Sequence, residues 1–464
     1  MERAGSRGGC SRGRKERQHQ GMSHWQYVTS VEASTDSAFW SRQPVEAGRV
    51  RRPSAELRAP RARVEGRGVV EKEMSDFHVA IVGGGPAGSW AGFLLARAGA
   101  RVVIVDGSHP REKPCGGGLS ARALKLLQGF VGGSAPAGNE IAVSTFSDGR
   151  RGVDVPLERT APLTPPLLVS SRRTFDLSLL NAAKEAGAEL VPERVTEIER
   201  GGSGWMLKPG NTAVTADWLV GADGANSLVR RSVSRPFPRS ALSIASGYFV
   251  RGRTSPKIDI AFTSEPAGYL WSFPRHDHLA VGACGQANET SSADLLTASA
   301  DWIREHTDAA STDMTRYSWP IPSLSEAQLE AERPAGDRWV LVGDAAGLVD
   351  PITREGLYFA LASSILAAES LMKDRGADRY IDRVRRELHS ELRKAARLKA
   401  RFFHSVFTGL LLRALDESAQ IRRVMADLVT GAQTYKGLRR RLLLTGECRL
   451  AAEYLFRGVF KGGD

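Results

Sequence analysis

Three glycines, Gly83, Gly85 and Gly88, fall in the spacing G-x-G-x-x-G, with Pro86 and Ala87 between them, and the acid Asp106 closes the same segment. Glycine is required where a chain turns sharply off a strand, where backbone must approach a pyrophosphate, and where a helix packs closely on a strand. A helix starting beyond such a turn offers unpaired N–H groups to phosphate oxygens, and Asp106 stands where a carboxylate could bind a ribose 2′-hydroxyl. The chemistry is dinucleotide binding, with FAD and NAD both open on this motif. Two more acids adjoin glycines, in Asp223-Gly224 and Gly343-Asp344; either alone would also suit a helix N-cap or a plain strand end. Cys115 precedes Gly116–Gly118, a run that lets backbone come close to something flat or bulky. An exposed flexible loop has the same composition.

The elements that must position these groups follow from the hydrophobic pattern. Apolar runs Val79–Val82 and Val102–Val105 bracket an Ala- and Leu-rich stretch, which predicts strand, tight turn, helix, strand. A helix, ARALKLLQGF, is expected after the Cys115 loop. Residues 140–170 read as short strands with Pro-rich turns, and Phe175, Leu179, Ala182 and Ala186 lie near helical spacing. A strand ends at Asp223-Gly224, and another, Trp339–Val342, ends at Gly343-Asp344, with a helix after Gly356. Between them, residues 241–330 alternate apolar and polar residues, which predicts an antiparallel sheet interrupted by a helix near 292–305. From 377 onward the pattern is helical and rich in Arg and Lys.

The formal charge of +12 on 464 residues is unevenly placed. Residues 1–73 hold 15 basic and 9 acidic residues (+6), and 373–464 hold 21 and 11 (+10), which leaves −4 for 74–372. An acidic body argues against nucleic acid as a partner, while the basic C-terminal part suits an anionic membrane surface. A solvated helical cap would carry arginines equally well. The four cysteines are widely spaced with no C-x-x-C pair, so neither a metal site nor a disulfide framework is expected, in keeping with a reducing cytoplasm. No apolar run reaches the ~20 residues of a spanning helix; peripheral membrane contact is the most that is expected. Residues 1–73, rich in Arg, Gly and Ser, are expected to be disordered and dispensable, and nine acids argue against a targeting peptide.

Taken together, the three separated motifs resemble the FAD-dependent monooxygenase and reductase superfamily with a fold like p-hydroxybenzoate hydroxylase, over about 74–372. The resemblance implies FAD, with Asp344 on its ribityl chain, Asp223 near its pyrophosphate and Arg172 of the RRTFD segment in support. KPCGGGLS (113–120) and GYLWSFPRHDHLAVGAC (268–284) are similar to the P-C-G-G-G loop and the Y-x-W-x-F-P strand of the geranylgeranyl reductase family. Two departures stand out. Cys284 replaces the last glycine of the second motif, which puts the local turn in question, and Arg354 replaces a glycine in the P-x-T-G-E-G pattern ending at Gly356.

The fold implied is α/β: a Rossmann-like FAD-binding domain (74–140, 166–236 and 333–372), a mainly antiparallel β substrate domain (141–165 and 237–332), and a basic helical C-terminal region (373–464). The activity implied is reduction of isolated carbon–carbon double bonds in an isoprenoid chain, on a lipid, a quinone or a chlorophyll precursor. Tyr269, Trp271 and Phe273 would share one strand face and line a slot for that chain, although an aromatic stripe is also ordinary sheet core. Cys115 is a candidate proton donor or redox sensor, or a small packed thiol without chemistry. Glu355 is expected to support the turn at Gly356, and Arg354 to meet an anionic headgroup or a cofactor phosphate. NAD(P)H would bind transiently as electron donor; ferredoxin or a reduced quinone would also serve. The rival activity on this fold is oxygen-dependent aromatic hydroxylation.

Overall fold

A computed structural model of the chain describes residues 76–446, apart from 129–135, 160, 163, 203, 374 and 375. The expectation of a disordered 1–73 extension lies outside these residues. At the centre of one sheet, Phe77–Val82 pairs in parallel with Val102–Val105 on one side and Val214–Gly221 on the other. Glu189–Val191 and Trp339–Leu341 extend it, again in parallel. Parallel strands are covered on both faces and so read as unbroken apolar runs; Val79, Ala80, Ile81 and all four residues of Val102–Val105 are buried. Helices Pro86–Arg97, Arg172–Glu185 and Leu357–Leu371 supply the cover. Pro86 opens the first of these at N1, where its missing N–H costs nothing. Gly92 lets it press onto the sheet, since a Cβ there would lie 2.7 Å from the Ile104 side chain.

A second sheet of seven strands carries Leu242–Arg251, Ile258–Ser264, Ala267–Pro274 and His278–Gln286 at its centre, all antiparallel. Val143–Ser147 joins it in parallel beside Ile258–Ser264, so the strands expected at 141–165 belong to this sheet. Its two faces differ. Leu270, Leu279 and Val281 pack against Leu295 and Ile303 of helix Ser292–His306, while the alternate residues Tyr269, Trp271 and Phe273 point the other way.

Two local expectations need correction. The loop before residue 121 ends in a short strand, Gly118–Ser120, paired with Leu167–Val169, and the helix after it spans Ala121–Leu126 rather than ten residues. Cys284 does not sit in a turn. It lies inside the strand His278–Gln286 opposite Tyr269, buried, with its thiol directed at the Tyr269 carbonyl (3.6 Å). With seven residues between it and Pro274, Gly282 faces Trp271 across the strands, and a Cβ there would lie 2.5 Å from both the indole ring and Tyr317 Oη. The spacing of that motif is therefore a cross-strand register.

The C-terminal helices are not an outer cap. Tyr380 is fully buried and donates to Leu341 O (2.7 Å). Phe403, Leu412, Leu415 and Ala426 form one core with Phe146, Val155 and Ile258 of the second sheet.

Candidate active site

The two sheets and the C-terminal helices line a single cavity of ≈ 1820 Å³. A pocket for one small ligand measures roughly 300–1,000 Å³, so there is room for a dinucleotide and a second large molecule. Gly83, Gly85, Pro86, Ala87, Asp106, Arg172, Asp223, Gly224, Asp344, Gly356, Cys115, Tyr269 and Trp271 all line it. The sequence scattered these residues over nearly 300 positions; the fold brings them to one space. Gly88 and Gly343 do not reach it and act behind it. A Cβ at Gly88 would fall 1.8 Å from Gly83 O, and Gly343, at φ 56°, donates its N–H to Ser363 Oγ (2.9 Å).

The end near the first sheet fits a dinucleotide. Helix Pro86–Arg97 has no side-chain cap and no acid in its first turn, so its N-terminal field is left for a phosphate. A Cβ on Gly224, at φ 81°, would meet nothing within 4 Å, which leaves backbone open to a ligand. Asp344 sits beside Gly356 and accepts from Lys113 Nζ (3.0 Å). Asp223 accepts from Leu228 N (2.6 Å) and Val229 N (3.2 Å), and so caps the helix beginning at Leu228 while it lines the cavity. Burial raises its pKa against the pull of those donors.

Asp106 does more than the sequence suggests. Its carboxylate accepts from Gly84 N (2.6 Å), from Ser108 N (2.6 Å) and from the His109 ring (2.8 Å). Most of its acceptor capacity thus organises its own turn. His109 also reaches Asp176 (3.4 Å), and Asp176 takes a two-point grip from Arg172 at 2.9 and 2.8 Å. This buried chain of Asp106, His109, Asp176 and Arg172 was not anticipated; the F-D pair after the arginines was its visible signal. Burial opposes the charge on Asp176, but Arg172 and then His109 outweigh it and lower the pKa. Burial likewise opposes charge on His109, and the two carboxylates raise it.

The glycine loop does approach something flat, and that is Phe273. A Cβ on Gly116 would lie 2.6 Å from its ring. The thiol of Cys115 accepts from Gly117 N (3.3 Å) and lies beside the Arg172 guanidinium. Tyr269 donates its hydroxyl to Thr353 O (2.6 Å) and stands 5.9 Å, edge-on, from Trp271. Glu355 also lines the cavity and is tied to Arg122 and to Ser120 Oγ (2.6 Å), contacts that anchor the turn before Gly356. Arg111 stacks on Trp319 at 4.8 Å and ties the glycine-loop segment to the second sheet.

Beyond the aromatic strand the cavity wall is apolar. Leu398, Phe402, Leu411, Ile421, Met425 and Val429, all from the C-terminal helices, line it. Sequence reading named no site residue on these helices, whose partners in the second sheet lie more than a hundred residues away.

This arrangement, a parallel and an antiparallel sheet around one cavity, is that of a flavoprotein. Residues 76–374 match the FAD binding domain family, and the protein is an FAD-dependent oxidoreductase. Two relatives narrow the class, and one solved structure shares the fold. Menaquinone reductase of Mycolicibacterium smegmatis is 31% identical over 332 residues, 65% of this chain and 78% of that protein. Digeranylgeranylglycerophospholipid reductase 1 of Methanopyrus kandleri is 32% identical over 312 residues, 63% and 80% respectively. A geranylgeranyl bacteriochlorophyll reductase-like structure from Thermoplasma acidophilum superposes with a TM-score of 0.64 at 22% identity, over 80% of this chain and 99% of that one. The chain belongs to the geranylgeranyl reductase family of FAD-dependent oxidoreductases.

Proposed function

We propose that the protein saturates carbon–carbon double bonds of a polyprenyl chain. One observation carries this reading: the cavity runs without interruption from the glycine turns and Asp344 to the apolar wall built by the C-terminal helices. A branched hydrocarbon gains roughly 0.8 kcal/mol for each buried CH₂, so such a wall holds a prenyl chain and offers little to a small aromatic acid. The relatives named above as reductases of prenylated molecules support the same reading.

FAD, once bound and reduced by an electron donor, would supply the hydride. The residues that would hold it are those of the glycine turns, with Arg172, Asp223 and Asp344. Tyr269 and Trp271, from the aromatic strand, position the chain and exclude water. Cys115, beside Arg172 at the start of the glycine loop, is the proposed proton donor to the second carbon. NAD(P)H or another reductant would bind transiently.

The substrate is water-insoluble, and the far end of the cavity suits its delivery. Helix Leu438–Leu444 contributes Leu438, Arg439, Leu442 and Leu443 to the lining. Leu443 and Leu444 are 66% and 74% exposed, next to Arg439–Arg441. Exposed leucines beside arginines suit the boundary of an anionic membrane. Among the described residues no helix is long and apolar enough to cross one.

The test uses the flavin-loaded full chain, reduced anaerobically with dithionite and mixed with geranylgeranyl lipids or a menaquinone. Mass spectrometry should find products heavier by two hydrogens per step. Oxygen-dependent addition of one oxygen atom to an aromatic substrate, with no prenyl product, would replace this reading with hydroxylation.

A further inference from the structure

Arg275 is fully buried and follows directly on the aromatic strand Ala267–Pro274. A buried guanidinium is costly unless it is paired, and the partners of its terminal nitrogens come from the glycine-loop segment. Nη2 donates to Cys115 O, and Nη1 pairs with the Glu112 carboxylate. The glycines fit around this contact. A Cβ on Gly118 would lie 3.1 Å from the Phe273 ring, as one on Gly116 would at 2.6 Å. A Cβ on Gly117, at φ 78°, would lie 2.3 Å from Ser170 O and 3.3 Å from Arg275 Nε and Nη2. Phe273 and Arg275, two residues apart, thus both press on the loop.

Glu112 makes the other half of the contact. Besides Arg275 it accepts from Ser171 Oγ (2.7 Å), Arg172 N (2.9 Å) and Arg173 N (3.3 Å). Helix Arg172–Glu185 has no side-chain cap from its own Ser171, so this carboxylate meets the orphan N–H groups at its N-terminus, where the helix field favours an anion. Arg172 is the first residue of that helix, and its guanidinium lies beside the Cys115 thiol. One carboxylate therefore ties down both members of that contact: Cys115 through Arg275, and Arg172 through the helix. Cys115, Arg172 and Phe273 line the cavity, while Glu112 and Arg275 stand behind them.

We propose that Glu112 and Arg275 are positioning residues that hold the Cys115 thiol against the Arg172 guanidinium, which rests on the reading of Cys115 as proton donor. Glycine neighbours leave a cysteine free to point its sulfur in several directions. The tie from Arg275 to the Cys115 carbonyl, anchored in turn on Glu112, removes that freedom. A reacting group displaced by about 1 Å loses much of its rate, and the thiolate left after proton transfer would face Arg172 until a solvent proton restores it.

The test compares alkylation of Cys115 by iodoacetate and by iodoacetamide in the flavin-loaded full chain, read on the Cys115 peptide by mass spectrometry. Normalised to free cysteine, the iodoacetate-to-iodoacetamide rate ratio reports the positive field at the sulfur. It should be ~3 or more in wild type, as a unit charge a few ångströms away gives even in water. In Arg275→Met and in Glu112→Gln it should fall toward one, and Arg275→Lys, which keeps the charge, should recover part of it. Glu112 is 20% exposed, so Glu112→Gln reads the contact even if Arg275→Met does not fold. Loosening of the loop alone would raise both rates together; an unchanged ratio of that kind, or a wild-type ratio of one, overturns the proposal. In turnover on a prenyl substrate, kcat should fall ~10-fold or more in both variants with KM and flavin content within about 2-fold of wild type. A KM rise at constant kcat overturns it as well. If no prenyl chain is reduced, the alkylation ratio still decides the role of Glu112 and Arg275, so the two readings fail separately.

Discussion

Replacing Asp176 by asparagine would remove one charge from the buried chain that links Asp106, His109, Asp176 and Arg172 without changing its shape. Asp176 is fully buried and Arg172 is 3% exposed. Arg172 would then keep its positive charge away from water with no carboxylate gripping it. Breaking such a buried pair from one side costs about 3–5 kcal/mol. Unfolding entropy near 2.1 cal/mol/K per residue over ~370 residues converts this to a Tm drop of roughly 4–6 °C. Because Arg172 lines the cofactor end of the cavity, flavin should also dissociate more readily. The assay is thermal unfolding followed by far-UV circular dichroism and, separately, by the rise in free-flavin fluorescence. A companion pair, Arg172→Met with Asp176→Leu, replaces both charges by apolar groups and should be less destabilised than the sum of its single changes, since no lone charge remains. A Tm within 1 °C of wild type for Asp176→Asn, or strict additivity in the double variant, would refute the argument that this chain is an obligatory charge pair.

Four further outcomes are expected. Asp344→Ala should purify with much less flavin, read from the absorbance ratio of flavin to protein; full flavin content would remove Asp344 from the cofactor site. Gly282→Ala should cost about 1–3 kcal/mol and shift the Trp271 fluorescence, because the new methyl would sit 2.5 Å from that indole; an unchanged spectrum and Tm would show that the aromatic layer can move aside. His109 has its pKa raised above the ordinary 6.5, while that of Asp176 is lowered below 3.8. The histidine contribution is therefore complete below pH 6.5 and lost as pH climbs through the raised value, and the Asp176 contribution is lost as pH falls below 3.8. Tm should thus have its plateau between these limits, and in His109→Gln the decline on the alkaline side should shrink; an identical alkaline slope in the variant would exclude His109 as its source. Cys115→Ser should slow prenyl reduction while flavin stays bound, and unchanged turnover would leave the thiol a packing residue.

Much of the first sheet was legible because parallel strands are buried on both faces and their sequences are continuous apolar runs, as in Val79–Val82 and Val102–Val105. Backbone geometry was legible for a related reason. Gly83 and Gly88 pack so closely on backbone that no other residue fits, and a steric demand of that kind fixes residue identity locally. The alternation Tyr269, Trp271, Phe273 likewise determined a shared strand face. What lay opposite that face was decided only by tertiary structure. The carboxylate of Asp106 found His109 through its own turn, but Asp176 joined them from a different helix; Lys113 met Asp344 across 231 positions of sequence. Helix periodicity beyond residue 377 marks an apolar stripe without naming its partner, so the C-terminal helices suited a membrane-facing surface and a solvated cap equally well. Only their packing against Phe146 and Ile258 made them the wall of the cavity. Local sterics and pattern write themselves into neighbouring residues, whereas long-range charge pairing and the closure of a cavity depend on where distant segments come to rest.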